Sequence, residues 1–509
     1  MASNPTPATA AAATDRPAIT PVAPTTGFFG HPRGLATLFF TEYWERFSYY
    51  GMRALLLLFM TTAVAKGGLG FNDRTGGAIY GIYVSLVYLT ALPGGWIADR
   101  IMGQRRAVFL GGCIIALGHF SMAVPTIGTF FLGLALIVTG TGLLKPNVST
   151  MVGELYPEGG ARRDAGFSIF YMGINLGAMI APLVCSPLGE NVNWHYGFAA
   201  AGIGMVLGLI QYALGGKHLG TAGLTPNAGT DPAERSKAVR ILAIASAVVL
   251  IGVGLIATGL VQLSAERIAQ TMGVVIFIFA VVTLLFQLVG GGLDPTETKK
   301  MLAIFVLFVF SVLFWSGFEQ AGSSLNLFAD RLTDRTFFGR EIAAVTLQAV
   351  NPALIIALAP VFAWLWIALA RKGWEPSAPA KFAMGLIFLG VGFIVMRFAA
   401  IQTVGGTVRV SPLWLVTTYL FHTFGELCLS PVGLSTVTKL APHRKVSQMM
   451  GVWFMSISLG NLLAGLIAGR FSDFPLPKIF GAVFLTTAGA GVILALFVKP
   501  IRRLMSGVH

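Results

Sequence analysis

Residues 42–59 read EYWERFSYYGMRALLLLF, with four charged side chains in the first twelve positions and almost pure leucine afterwards. On a helix of about 3.6 residues per turn, Glu42, Arg46, Tyr49 and Arg53 recur at steps of four, three and four and share one face. Glu45 and Tyr50 flank that stripe, and Phe47, Met52 and Leu55 occupy the opposite side. A charge at mid-membrane costs a few kcal/mol unless it meets a partner or a wet cavity. The stripe is therefore expected to line an interior while the leucines complete a membrane span.

Composition agrees. The chain has 509 residues, is 55% hydrophobic and is only 11% charged, against roughly 25% in soluble domains. With a mean hydropathy of +0.76, it is read as an all-α polytopic membrane protein. The runs are continuous rather than alternating, which excludes a β-barrel. Cys113, Cys185 and Cys428 lie in or near apolar runs, without metal spacing. The opening residues are rich in Ala, Thr and Pro and hold no apolar core of a signal peptide, so a disordered tail is expected.

Fourteen apolar segments are long enough to cross a bilayer. The hydrophilic stretch 215–237, GGKHLGTAGLTPNAGTDPAERSK, follows the sixth, and the seventh and eighth (237–262 and 271–291) form an extra central pair. The expected organisation is a tail over 1–37, a six-helix bundle over 38–214, a linker with two extra helices over 215–300, a second six-helix bundle over 301–500 and a tail over 501–509. An even number of spans puts both termini on one side. Of the 35 Lys and Arg, 22 fall on that side, 9 on the other and 4 within spans. This bias places both termini in the cytoplasm, and it makes the net charge of +14 a topology signal before a nucleic-acid one.

Other spans also carry charge. Lys145 lies in IVTGTGLLKPNVS, Glu319 in FWSGFEQAGSSLN and Glu426 in FHTFGELCLSPVGLS. Arg397, among apolar neighbours, is read as structural. Arg53 and Lys145 come from the first half, Glu319 and Glu426 from the second. A cavity positive on one wall and negative on the other suits a zwitterion with separated ends, such as a short peptide or an amino-acid-like molecule. Carboxylates balanced between desolvation and neighbouring cations can exchange protons, so proton coupling is the natural drive. No GxxxxGK[ST] motif occurs, and neither a nucleophile with its base nor a sizeable soluble domain is evident. An enzyme or receptor is not expected, nor any cofactor or metal.

These residues resemble the proton-coupled oligopeptide transporters of the major facilitator superfamily. Glu42, Glu45, Arg46, Phe47, Tyr49 and Tyr50 match that family's ExxERFxYY motif. Residues 94–106 (GGWIADRIMGQRR), 142–149 (GLLKPNVS), 170–177 (FYMGINLG) and 425–435 (GELCLSPVGLS) match further signatures, and the extra pair resembles bacterial members. The resemblance implies a major facilitator fold of six, two and six helices in a bacterial inner membrane, carrying di- and tripeptides with protons and working as a monomer. It implies peptide contacts from Tyr49, Arg53, Tyr88, Lys145, Asn175, Trp315, Asn351, Glu426, Ser430 and Trp453. It implies proton coupling and gating by Glu42, Glu45, Arg46, Lys145, Glu319 and Glu426, with Arg53–Glu319 and Lys145–Glu426 as pairs between the halves. Asp99 is expected to steady its loop through Arg100 or Arg105 and Arg106. Nitrate or amino acids remain rival substrates, because related carriers share the ExxER triplet.

Overall fold

The structure, a computed structural model, describes residues 26–157, 160–226, 232–258, 260, 262–290, 292–337, 339–442 and 445–506. Residues 1–25 and 507–509 of the expected tails, and Arg444, lie outside the described residues. The helices are α1 (Arg33–Thr61), α2 (Asp73–Leu89), α3 (Ala91–Ile97), α4 (Gln104–Met122), α5 (Ile127–Glu154), α6 (Gly160–Asn191) and α7 (Trp194–Gly215). They continue as α8 (Pro232–Ala257), α9 (Ala265–Gly290), α10 (Pro295–Phe318), α11 (Ser324–Leu332), α12 (Val350–Arg371), α13 (Ala378–Gln402), α14 (Leu413–Leu440), α15 (Val446–Ala468), α16 (Leu476–Leu496) and α17 (Val498–Leu504). Among the described residues, 10 helical segments are long and apolar enough to cross a membrane. Helices α1, α4, α8 and α14 are not among them, though α1 and α14 run for 29 and 28 residues. In α1 and α14 polar and charged side chains interrupt the apolar run, as the charged stripe of α1 illustrates.

Three boundaries expected from hydropathy move. The tail expected over 1–37 gives way to a hairpin, β1 (Thr26–Phe28) with β2 (His31–Pro32), and α1 starts at Arg33. Phe28 packs on Phe39, and His31 hydrogen-bonds the Tyr156 hydroxyl at 2.8 Å, contacts that hydropathy does not register. The second bundle opens at Pro295 instead of 301. Asp294 accepts from the Glu297 amide at 2.7 Å while Glu297 accepts from the Asp294 amide at 3.2 Å, a reciprocal cap that starts α10 in polar sequence. At the other end, α17 extends to Leu504 and buries Ile501, inside the tail expected over 501–509.

Helices α1 to α7 pack as one bundle and α10 to α17 as another, with α2 and α15 running together across the seam. Glycines set their distance. A Cβ at Gly77 would lie 2.5 Å from the Gly465 carbonyl oxygen and 2.7 Å from the Gly469 nitrogen. Small residues at this spacing let two membrane helices approach at backbone range. Ser85 and Ser458 add a hydroxyl contact of 2.6 Å along the same seam. Helix α9 bridges both bundles through Ala269 against Ala78 and Leu462.

Candidate functional site

Helix α1 carries its charges through the interior. Arg46 Nε lies 2.7 Å from Glu42 Oε1 and 3.0 Å from Glu45 Oε2. Both acids are nearly fully buried. Two turns on, Arg53 Nη2 meets Glu319 Oε2 at 3.0 Å, and Arg53 Nε donates to the Tyr80 hydroxyl at 2.9 Å. Glu319 reaches this point because the seventh apolar segment of the two bundles is broken. Helix α10 stops at Phe318, a 3-10 turn covers Glu319–Gly322, and α11 resumes at Ser324. A Cβ at Gly322 would overlap the Tyr80 hydroxyl and come 2.7 Å from Arg53 Nη2, so the glycine admits both groups.

Two prolines shape the flanking helices. Pro146 in α5 offers no amide to the Gly142 carbonyl, one turn earlier. Asn147 compensates nearby, its side chain donating to the Leu143 carbonyl at 2.6 Å and the Gly94 carbonyl at 3.4 Å. Lys145, at that irregularity, holds its Nζ 3.8 Å from the Tyr88 ring centroid. Pro431 lies inside α14 just beyond Ser430 and offers no amide to the carbonyl one turn earlier. Glu426, on the same helix, accepts from Asn351 Nδ2 at 3.4 Å, and Asn351 also donates to Thr423 at 3.0 Å.

These groups surround a cavity of about 290 Å³ between the bundles. Arg46, Arg53 and Lys145 reach it from the first bundle, Glu319 and Glu426 from the second. Arg53 and Glu319 neutralise one another. Lys145 and Glu426 do not pair with each other or with any other described charge. The pair expected between them is thus absent: the ammonium sits on an aromatic face and the carboxylate on an amide, on opposite walls.

Ion pairs close the cavity at the end where α1 finishes and α2 begins. Asp73 receives Arg331 through two hydrogen bonds of 2.7 and 2.8 Å and also contacts Ser472. Arg74 meets Asp473 at 2.6 Å. Glu190 caps the 3-10 turn Ala344–Ala349, accepting from the Ala344 and Val345 amides at 2.7 and 3.0 Å, with Arg335 at 3.7 Å. All ion pairs joining the two bundles among the described residues lie at this end or at Arg53–Glu319.

A family model described as the POT family matches residues 105–483 of this sequence.

The chain belongs to the POT family. It is 43% identical over 500 residues to an uncharacterized transporter, YclF, of Bacillus subtilis, covering 98% of this chain and 100% of that one. It is also 43% identical over 494 residues to the peptide transporter YePEPT of Yersinia enterocolitica, covering 95% and 97%. A crystal structure of a peptide transporter POT in complex with sulfate superposes with a TM-score of 0.88 at 42% identity, over 94% of this chain and 97% of that one. This POT-family chain is accordingly an all-α polytopic membrane protein and not an enzyme.

Of the expected peptide-contact residues, Arg53, Tyr88, Lys145, Asn175, Trp315, Asn351, Glu426, Ser430 and Trp453 line the cavity. Tyr49 does not. It is buried behind the wall, 5.2 Å from the Tyr50 ring and 5.9 Å from Arg53, while Tyr50 faces the cavity. Arg46, Tyr50 and Arg53 follow i, i+4, i+7 spacing, and the cavity meets that edge of the stripe rather than the edge carrying Tyr49. Glu42 and Glu45 also sit off the wall, behind Arg46. Tyr80 escaped the sequence reading, although it lies two turns before Tyr88 on the same helical face. Asp99 accepts from Gln104 at 2.8 Å, whereas Arg105 turns to the Ala222 and Gly220 carbonyls. Arg397 is exposed at the bundle surface, near Gly481.

Proposed function

We propose that this protein is a proton-driven symporter of di- and tripeptides, working by alternating access as a monomer in a bacterial inner membrane. The observation carrying this reading is Lys145 and Glu426, unpaired charges of opposite sign facing one cavity from different bundles. A peptide carboxylate answers Lys145 and its ammonium answers Glu426, so the ligand itself joins the bundles. Asn175, Asn351 and Ser430 supply hydrogen bonds, Tyr88, Trp315 and Trp453 shape side-chain space, and Tyr49 backs Arg53. The cavity, at about 290 Å³, lies at the small end of ligand sites and favours short peptides.

Fourteen crossings with both termini in the cytoplasm fit the helix lengths and the Lys and Arg bias. In that topology the end closed by Asp73–Arg331 is external, so the state in which this pair is made is shut to the outside. Protons loading on Glu45, Glu319 or Glu426 from outside would loosen Arg46 and Arg53 and permit the bundles to rock. Uptake into proteoliposomes under an imposed pH gradient tests the reading, with labelled dialanine and competing di-, tri- and tetrapeptides. Gradient-dependent uptake suppressed by unlabelled di- and tripeptides, but not by nitrate, is expected. Uptake indifferent to the gradient, or blocked by nitrate, would overturn it.

A further inference from the structure

On the outer surface of the first bundle, at the end where α1 begins, a shallow cavity of about 520 Å³ opens between the start of α4 and the end of α7. Its walls combine Arg105 and Arg106 with Phe109, Leu110 and Tyr212, and no carboxylate lines it. Arg105 is committed to the loop carbonyls of Gly220 and Ala222 at 2.8 and 3.2 Å. Arg106 is exposed and has no hydrogen bond or ion pair among the described residues. Lys217, next to the lining residue Gly216, is exposed and equally unpaired. Deeper along the same two helices the surface is apolar. Leu117, Leu207 and Ile210 are 61%, 43% and 52% exposed.

Cations at the mouth, an apolar wall and an open hydrocarbon track below describe one kind of molecule. A soluble anion would use the cations and leave the wall uncovered, whereas a zwitterionic lipid would bring its own ammonium against Arg106. We propose that this cavity holds the phosphodiester headgroup of an anionic phospholipid, whose acyl chains lie along the α4–α7 seam. Arg106 and Lys217 supply the charge. Arg105 holds the adjoining loop through Gly220 and Ala222. The substrate cavity lies elsewhere, between the bundles, and shares no residue with this site.

The test is native mass spectrometry of the full chain in detergent, offered phosphatidylglycerol or phosphatidylcholine with identical acyl chains. A basic residue near the membrane surface contributes about fivefold to anionic lipid binding. The wild type should retain phosphatidylglycerol in preference, and Arg106→Gln should lose about fivefold of that preference. Arg371→Gln, which removes an exposed cation from the other bundle, should leave it unchanged. An unchanged melting temperature without lipid establishes that Arg106→Gln is folded. Equal retention of the two lipids by the wild type, an Arg106→Gln protein that behaves as wild type, or equal losses in both variants would overturn the proposal. So would displacement of phosphatidylglycerol by inorganic phosphate, which would assign the site to a soluble anion.

Discussion

Replacing Glu319 with Gln keeps the side chain's shape and removes its charge, which isolates what the ion pair with Arg53 contributes. Both partners are buried, at 5% and 4% exposure, and they join the two bundles at 3.0 Å. Removing one member of such a pair costs about 3 kcal/mol when the replacement amide still accepts a hydrogen bond. The loss falls only on the conformation in which the pair is made. It should therefore shift the equilibrium toward opening of the closed end by about 150-fold. Asp473→Asn removes another interbundle pair, Arg74–Asp473, but Arg74 is 52% exposed. An exposed pair contributes about 0.5 kcal/mol, or about twofold. Nitroxides on Val64 and Phe337, exposed positions at that end in different bundles, report the opening as a distance distribution by pulsed electron resonance. Glu319→Gln should enrich the long-distance population strongly and Asp473→Asn barely. If the two variants move the distribution equally, burial does not set the strength of the gate and the reasoning fails.

Glu45→Gln should abolish concentrative uptake under a pH gradient while leaving peptide counterflow intact, since Glu45 contacts Arg46 behind the cavity wall; retained gradient-driven uptake would remove it from proton coupling. Lys145→Gln deletes an unpaired cation facing the peptide carboxylate, at about 2 kcal/mol, and should raise the KM for dialanine about 30-fold; an unchanged KM argues against that contact. Asn351→Ala loses hydrogen bonds to Thr423 and Glu426 at 3.0 and 3.4 Å and should raise the same KM by about fivefold, measured in parallel. Gly77→Ala puts a Cβ 2.5 Å from the Gly465 carbonyl and should cost about 1–3 kcal/mol, seen as a lower melting temperature in detergent.

Hydropathy and helical periodicity are local properties, and what depends on them was legible in the sequence. The charged face of α1, the two helices between the bundles and the charges Lys145, Glu319 and Glu426 follow from runs and spacings a few residues long. So does the charge sorting that opposes Lys145 to Glu426, because each helix announces its own polar residue at an energetic cost. What escaped depends on how one bundle is rotated and docked against the other. The helical wheel puts Tyr49 on the charged face and Tyr50 at its flank, and only the direction of the cavity reverses them. The break at Glu319 and the glycine at 322 have meaning only beside Arg53 and Tyr80, which lie far away in sequence. The closed end rests on Asp73 with Arg331, 258 residues apart, a pairing that exists in one arrangement of the bundles. Membrane insertion is decided segment by segment from apolar length and charge, which sequence carries. Which charges neutralise one another, and which wait for a ligand, is a matter of distances between segments, which only the folded chain determines.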